Sequence, residues 1–346
     1  MPERGSTCGG TARALTICDD RGMRKRIEFA EAAALLRTRS ELLDAGTTER
    51  GLESLVNVGM LVRVHRGQYV DGSTWDALWE EGRHLLRAIA FARVSPDAVF
   101  AHASAAALWG LPLYGRRDDF VHVLIAGTRH SRRSGGVMRH ALKVTADDIV
   151  VKHGLRCTSL ARTVYDLART LSPEAAISAG DAALGHVAVS RRVQDEEKAA
   201  AWREELRIMA ASRARGAKTA RWVAAFADGR AELPGESVSR LRLHTLGFQN
   251  VALQVHVVGS TGRDYYLDFG FTGCRVFGEF DGDAKYLEPE LRAASTPQDA
   301  VLAEKQREDD VRGVTGWGLV RWGHSHIGTA KTLGARLAAF GILPPG

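Results

Sequence analysis

The sequence predicts a multidomain α/β protein, and three observations carry that reading. The chain has 346 residues, too many for one ordinary core and enough for two or three domains. Its apolar periodicity changes along the chain: short helices and a basic alternating segment come first, a mixed α/β stretch follows, and strands bracketed by helices occupy the last third. Within that last third lies an acidic constellation: Glu236, Asp268, Glu279-Phe280-Asp281-Gly282, with Lys285 just beyond. Several of these carboxylates sit in or beside apolar, strand-like sequence, where a charge is costly unless something compensates it.

Bulk properties bound the class. With 45% hydrophobic and 25% charged residues, the composition is that of a soluble globular protein. No apolar run approaches the roughly 20 residues that span a bilayer, which excludes a membrane-spanning helix. Residues 1–25 mix Gly, Ser and Thr and lack an apolar signal core, so they read as a disordered lead-in or as an upstream start before Met23. Cys8, Cys18, Cys157 and Cys274 are scattered without a CxxC pair, which fits reduced thiols in a cytoplasm and argues against a zinc site. A net charge of +6 permits nucleic-acid binding, and it equally fits an Arg-rich bacterial protein with no such role.

Residues 26–72 carry three helix signals and then a hairpin. Phe29–Leu36 is rich in helix formers, and Thr38-Arg-Ser-Glu41 has capping-box form before Leu42. Gly46 stops that helix, Thr47 is placed to cap a third over Glu49–Val58, and Gly59 stops it in turn. Met60–Val70 alternates and turns near Arg66-Gly67. Three short helices followed by a basic hairpin is the order of a winged helix-turn-helix, in which the third helix enters the major groove and the wing touches phosphates. That order places Arg50 on the recognition helix and Arg63, His65 and Arg66 on the wing, with double-stranded DNA as the partner.

Residues 75–190 read as a mixed α/β middle domain. Helices are expected around Leu85–Ala92 and Ala101–Trp109, the latter ended by Gly110 and Pro112. Strand-like Val121–Ile125 and Gly136–His140 flank a basic loop, Arg129–Arg133, and Thr158 is placed to cap a helix through Leu167. His102, His122 and His140 show no metal-ligand spacing and read as structural or surface histidines. Residues 191–230, charged and helical, read as a connector to a domain over 231–326, followed by a C-terminal helix and tail over 327–346.

In that domain Pro234-Gly235-Glu236 precedes a helix closed by Gly247, and strands are expected at Val251–Val258, Asp264–Phe271 and Arg275–Asp281. If the last two pair about Gly273, Asp268 lies nearly opposite Glu279, and cross-strand neighbours of that kind sit about 5 Å apart. Glu279 and Asp281 then project from one face and Phe280 from the other. Crowded carboxylates repel one another, and a divalent ion such as Mg²⁺ or Mn²⁺ reverses that cost. Asp268, Glu279 and Asp281 are the candidate ligands. Trp317 and Trp322, near a last expected strand, read as core.

Residues Arg39–Val70, with Gly59-Met-Leu-Val-Arg-Val64 and Arg66-Gly-Gln-Tyr-Val70, resemble the N-terminal winged helix of AbiEi-type antitoxins and related regulators. His102-Ala-Ser-Ala-Ala, Gly110-Leu-Pro and Thr158–Ala168 are similar to the central region of long actinobacterial members. Pro234-Gly-Glu-Ser237, Gln254, Asp268-Phe269, Gly278-Glu-Phe-Asp-Gly282, Lys285-Tyr286, Glu304-Lys305 and Trp317–Trp322 resemble the Vsr-like branch of the PD-(D/E)XK nucleases. The resemblance implies a restriction-endonuclease-like sheet domain in which Asp268 and Glu279 hold Mg²⁺, Lys285 stabilises charge on the phosphorus and Glu236 assists from outside. Asp281 stands where the pattern has lysine. Either Lys285 substitutes, or the site binds metal without cleaving. The implied function is a DNA-binding, Mg²⁺-dependent endonuclease. The alternative is a non-enzymatic transcriptional regulator, or a type IV antitoxin that autorepresses its promoter and has a nucleotidyltransferase toxin as partner.

Overall fold

The computed structural model describes residues 27–116, 118–125, 131–211, 214–282 and 297–344. The lead-in, Lys285 and the start of the basic loop fall outside them. Within the described residues the chain is a mixed α/β protein with four sheets.

The first sheet belongs to the N-terminal segment. Helices α1 (Phe29–Leu35), α2 (Arg39–Asp44) and α3 (Glu49–Asn57) alternate with strand β1 (Arg37–Thr38) and the hairpin β2 (Leu61–His65) and β3 (Gln68–Asp71), in sheet order β1-β3-β2. Thr38 closes a capping box with Glu41, two otherwise orphaned amides being satisfied reciprocally. The cap of α3 is Thr48 rather than Thr47, because the Thr48 hydroxyl is the one that reaches the Gly51 amide, at 3.1 Å. Gly67 takes a positive φ of 72° at the tip of the hairpin, as the turn requires. Leu42, Leu52, Leu61 and Tyr69 form the small core beneath the wing.

Next come α4 (Gly72–Asp76), α5 (Glu80–Ala92), β4 (Val99–Phe100), α6 (His102–Trp109), β5 (Val121–Leu124), β6 (Arg132–Ser134), β7 (Val137–His140), β8 (Ile149–Lys152) and β9 (Leu155–Thr158). The six strands form one sheet in the order β6-β7-β5-β4-β9-β8. The strands expected on either side of the basic loop, β5 and β7, pair in parallel, and β6 lies on the outer edge against β7. One core joins this sheet to α5 and to Ala32, Leu36 and Val70 of the N-terminal segment.

Four helices follow: α7 (Leu160–Ala168), α8 (Pro173–Ala188), α9 (Glu196–Met209) and α10 (Ala217–Phe226), with a short hairpin, β10 (Val189–Ser190) and β11 (Val193–Gln194), between α8 and α9. Ser159 caps α7, in place of the expected Thr158, whose hydroxyl is turned to Thr163 instead. Ala199, Trp202 and Leu206 of α9 and Ala220, Val223 and Ala224 of α10 are buried in one core with α7 and α8. The stretch that reads as a charged connector therefore packs as an integral helical layer.

The C-terminal part runs α11 (Pro234–Thr245), β12 (Ala252–Val258), β13 (Asp264–Phe271), β14 (Val276–Asp281), α12 (Pro297–Thr315), β15 (Gly318–Gly323), α13 (His324–Ile327) and α14 (Ala330–Ala338). Strands β12, β13 and β14 are antiparallel neighbours, and β15 adds in parallel to β14 after α12 crosses over. Trp322 is fully buried in the core under α11, its indole N–H donating to Ser239 at 2.9 Å. Trp317 stacks on Phe277 with ring centroids 4.7 Å apart. A buried ion pair ties α11 to α8: Arg240 donates to Asp181 at 2.6 Å, and Asp181 also accepts the Asp228 amide at 2.9 Å.

Candidate functional site

The β13–β14 ladder pairs Phe271 with Val276, Gly270 with Phe277 and Phe269 with Gly278. Asp268 and Glu279 stand one step beyond its last pair, facing each other at the end of the hairpin. There the Asp268 carboxylate takes over from the ladder and accepts the Phe280 amide at 2.8 Å. Helix α11 covers this end of the sheet because Gly235 rests on the Phe280 ring, where any Cβ would overlap it. That close approach brings Glu236 into the site, where it is buried and accepts the Glu232 amide at 2.9 Å. Gln254 of β12, held at a positive φ of 48°, places its amide 3.5 Å from the same carboxylate.

The electrostatics follow from this crowding. Burial, and then the neighbouring Glu279 carboxylate, push Asp268 up to about 7, against the opposing pull of the Phe280 amide and Arg307. Burial, and then Asp268, raise Glu236 well above the ordinary carboxylate range. Glu279 lives differently. Arg307 of α12 donates to one of its oxygens, and Arg321, its register partner on β15, donates to the other at 2.9 Å. Glu304 binds both arginines and Glu308 lies 3.3 Å from Arg321, so the clamp is a network of alternating charge. Arg307 is half-buried, yet Glu279 and Glu304 outweigh the desolvation and hold its pKa above the usual value.

The donor set is entirely carboxylate oxygen, which suits a hard cation such as Mg²⁺. Among the described residues no group of three or more His, Cys, Asp or Glu side chains is arranged to hold a metal. Mg²⁺, however, commonly takes only one or two carboxylates, with water and phosphate completing its shell. Asp268 meets that need with Glu236 or Glu279. Asp281 lies at the last position of β14, beside Gly323, two residues along the strand from Glu279.

At the other end of the chain, Arg50 is exposed on α3, and Arg63 and Arg66 are exposed on the wing. His65 is turned inward. Its ring meets Phe91 edge-on at 5.7 Å, and burial lowers its pKa, so it stands as a packing residue rather than a cation. Helix α3 also carries Glu49 and Glu53, and Glu49 is ion-paired with Arg39.

Comparison with known proteins adds the family. The sequence is 30% identical over 273 residues to the uncharacterized protein Rv2248 of Mycobacterium tuberculosis, a match covering 77% of this chain and 92% of that protein. The chain belongs to the family of this mycobacterial protein. The uncharacterized protein MT2308, from another strain of the same organism, matches at the same identity and coverage. No family model matches the sequence. Among solved structures, the RV2827C protein of M. tuberculosis is 15% identical and aligns with 69% of this chain and 91% of its own, at a TM-score of 0.33 that is too low to define a shared fold. No helix among the described residues is long and apolar enough to cross a membrane.

Two groups of polar residues are not recognisable from sequence as functional candidates. Arg307 and Arg321 carry the clamp on Glu279, and the only local sign of it is the i,i+3 spacing of Glu304 and Arg307. The middle sheet gathers histidines that look unrelated in sequence. His122 Nδ1 lies 2.8 Å from His140 Nε2, and His122 Nε2 lies 2.8 Å from an Asp118 carboxylate oxygen. His102 stacks on His140 at 4.0 Å between ring centroids, and His84 Nε2 bonds Ser104 at 2.9 Å. The three histidines that read as structural or surface residues form one cluster, in which His102 and His122 are buried.

Proposed function

We propose that this chain is a DNA-binding protein whose C-terminal sheet is an endonuclease-like, Mg²⁺-dependent site for phosphodiester hydrolysis. The observation that carries the proposal is the meeting of Asp268 and Glu279 beyond the last ladder pair, with Glu236 buried over them. Three carboxylates converge there, and two are pushed toward protonation by burial and by one another. A bound cation would relieve that crowding, as Arg307 and Arg321 already do for Glu279. The order α-β-β-β-α-β, with the last strand parallel to its neighbour, accords with the restriction-endonuclease-like reading.

In this proposal Asp268 and Glu279 would hold the ion, which would supply Lewis-acid activation of the phosphodiester and of water. The Phe280 amide fixes the rotamer of Asp268. Arg321 and Arg307 hold Glu279 ionised and oriented. Glu236, its pKa raised by burial and by Asp268, would be the proton-exchanging group beside the two other carboxylates. Arg50, Arg63 and Arg66 would supply sequence-independent attraction to the duplex.

A second reading has its own observation. Both oxygens of Glu279 are already taken by guanidinium groups, and the lysine position of the nuclease pattern holds Asp281. That arrangement favours a regulator or type IV antitoxin that retains the nuclease-like sheet for binding, with a nucleotidyltransferase toxin as its partner. Incubation of supercoiled plasmid with Mg²⁺ or Mn²⁺ separates the two. Nicking that Asp268→Ala and Glu279→Ala abolish, with duplex binding retained, supports the nuclease. Nicking that persists in both variants refutes this site. Tight, salt-sensitive binding of the upstream DNA without nicking supports the regulator.

A further inference from the structure

The histidine cluster opens on a cavity of about 400 Å³ between the middle sheet and α7, large enough for a small organic molecule. Its lining is mainly apolar, and two of its polar residues are incompletely paired. His102 is buried, and its Nε2 has no hydrogen-bond partner among the described residues. Asp166 is buried too: one carboxylate oxygen takes Arg162 at 2.9 Å, and the other has no hydrogen bond, its nearest cation being Arg169 at 3.9 Å. Buried polar atoms are almost always paired in folded proteins, so two unpaired ones, closed off from solvent on residues that line the same cavity, call for an explanation. His102 also sits at a positive φ of 47°, a conformation that non-glycine residues adopt rarely and often at binding sites.

The shallower lining is cationic. Arg116, Arg133 and Arg169 line the cavity beside Phe120, with Arg116 and Arg133 exposed. Asp118, the other carboxylate in the lining, is fully engaged by His122, Arg116 and the Phe120 amide. The largest charges bearing on His102 are positive or potentially so: His140, His122, Arg162 and Arg116. An anionic group is the complement of that field, and arginine forks match phosphate oxygens with several donors each. The unpaired carboxylate oxygen of Asp166 requires the opposite, a neutral hydroxyl or amino donor. One ligand satisfies both if it carries its charge at one end and donors at the other.

We propose that this cavity is a binding site for a small phosphate monoester with hydroxyl or amino donors, of the nucleotide or sugar-phosphate class. The phosphate lies among Arg116, Arg133 and Arg169, and the polar body reaches His102 and Asp166. The Asp118–His122–His140 chain orders the imidazole on which His102 stacks. The site is separate from the carboxylates of the C-terminal sheet and does not depend on any nuclease activity.

The test is calorimetric titration of the full chain with adenosine 5′-monophosphate, ribose 5-phosphate and inorganic phosphate. Saturable binding of one of the two esters is expected, with inorganic phosphate about tenfold weaker or worse because it cannot reach the unpaired groups. Preference between the esters tells the nucleotide source from the sugar-phosphate source. His102→Ala and Asp166→Asn should each weaken the ester by about tenfold. Arg133→Ala, at an exposed position where folding is safe, should weaken ester and inorganic phosphate alike. The proposal is overturned if neither ester binds, if both bind no better than inorganic phosphate, or if binding survives Arg133→Ala. Loss of binding on Arg63→Ala instead would also overturn it by moving the site to the wing.

Discussion

Asp268→Asn gives the sharpest test of the carboxylate site, because it changes a charge while keeping an acceptor for the Phe280 amide. Asp268 is raised from 3.8 to about 7 in the folded chain, first by burial and then by Glu279. A folded-state pKa above the unfolded value means that the native state binds the extra proton. Its stabilising effect is complete below about pH 4 and disappears as pH rises through about 7. A tenfold change in proton affinity is worth about 1.4 kcal/mol, so the ceiling is about 4 kcal/mol across that window, and partial exposure brings the expected loss nearer to about 2 kcal/mol. In chelator-treated protein, urea unfolding followed by near-ultraviolet circular dichroism should show the wild type losing stability from about pH 5 to about pH 8. Asp268→Asn should be more stable than wild type at the upper end and lose less stability across the window, the remaining slope coming from the buried Glu236. Millimolar Mg²⁺ should recover much of the loss in the wild type and none in the variant. Parallel pH profiles for the two proteins would refute the argument that Asp268 is held in an unfavourable, desolvated site.

Arg240→Met strands the buried Asp181 carboxylate and should destabilise the chain by about 3–5 kcal/mol in thermal or urea unfolding, with Asp181→Asn in the same chain recovering a large part. Arg307→Gln removes one of the two guanidinium groups from Glu279; a loss of about 1–3 kcal/mol and an upward displacement of the Asp268 titration, read by carboxyl NMR, are expected. Arg63→Ala and Arg66→Ala should each weaken duplex binding and lower the slope of log affinity against log salt by about one, measured by fluorescence anisotropy, whereas His65→Gln should leave the slope unchanged because its ring is turned toward Phe91.

What is readable in the sequence is local. The two-residue period of β13 and β14 and the short loop between them are enough to set Asp268 against Glu279, because register in a tight hairpin leaves few alternatives. The capping box at Thr38 is readable for the same reason, its partner being three residues away. Thr47 and Thr48 show the limit of that resolution, since adjacent threonines offer the same hydroxyl and only backbone direction decides between them. Helices α9 and α10 read as charged and helical, and their packing against α7 and α8 is not legible because few large apolar residues, Trp202, Leu206 and Val223, stand beside so many charges and alanines.

The remaining site features depend on crossings that no short window contains. Glu279 meets Arg321 because β15 returns in parallel after α12, a connection whose direction is fixed by the packing of the helix and not by either residue. His122 and His140 come together because β5 and β7 are parallel neighbours, pairing Leu124 with His140, while β6 is displaced to the edge. Read as a simple pair flanking a loop, the same strands would not predict that placement. His102 joins them from the first residue of α6, beneath the same sheet. Ligand spacing is a property of single helices and hairpins, so a cluster assembled from a helix start and two parallel strands escapes it. Of the buried polar atoms left unpaired among the described residues, His102 Nε2 and Asp166 Oδ1 belong to residues that share a cavity, a coincidence no motif shows, whereas those of His65 and Trp202 do not line it.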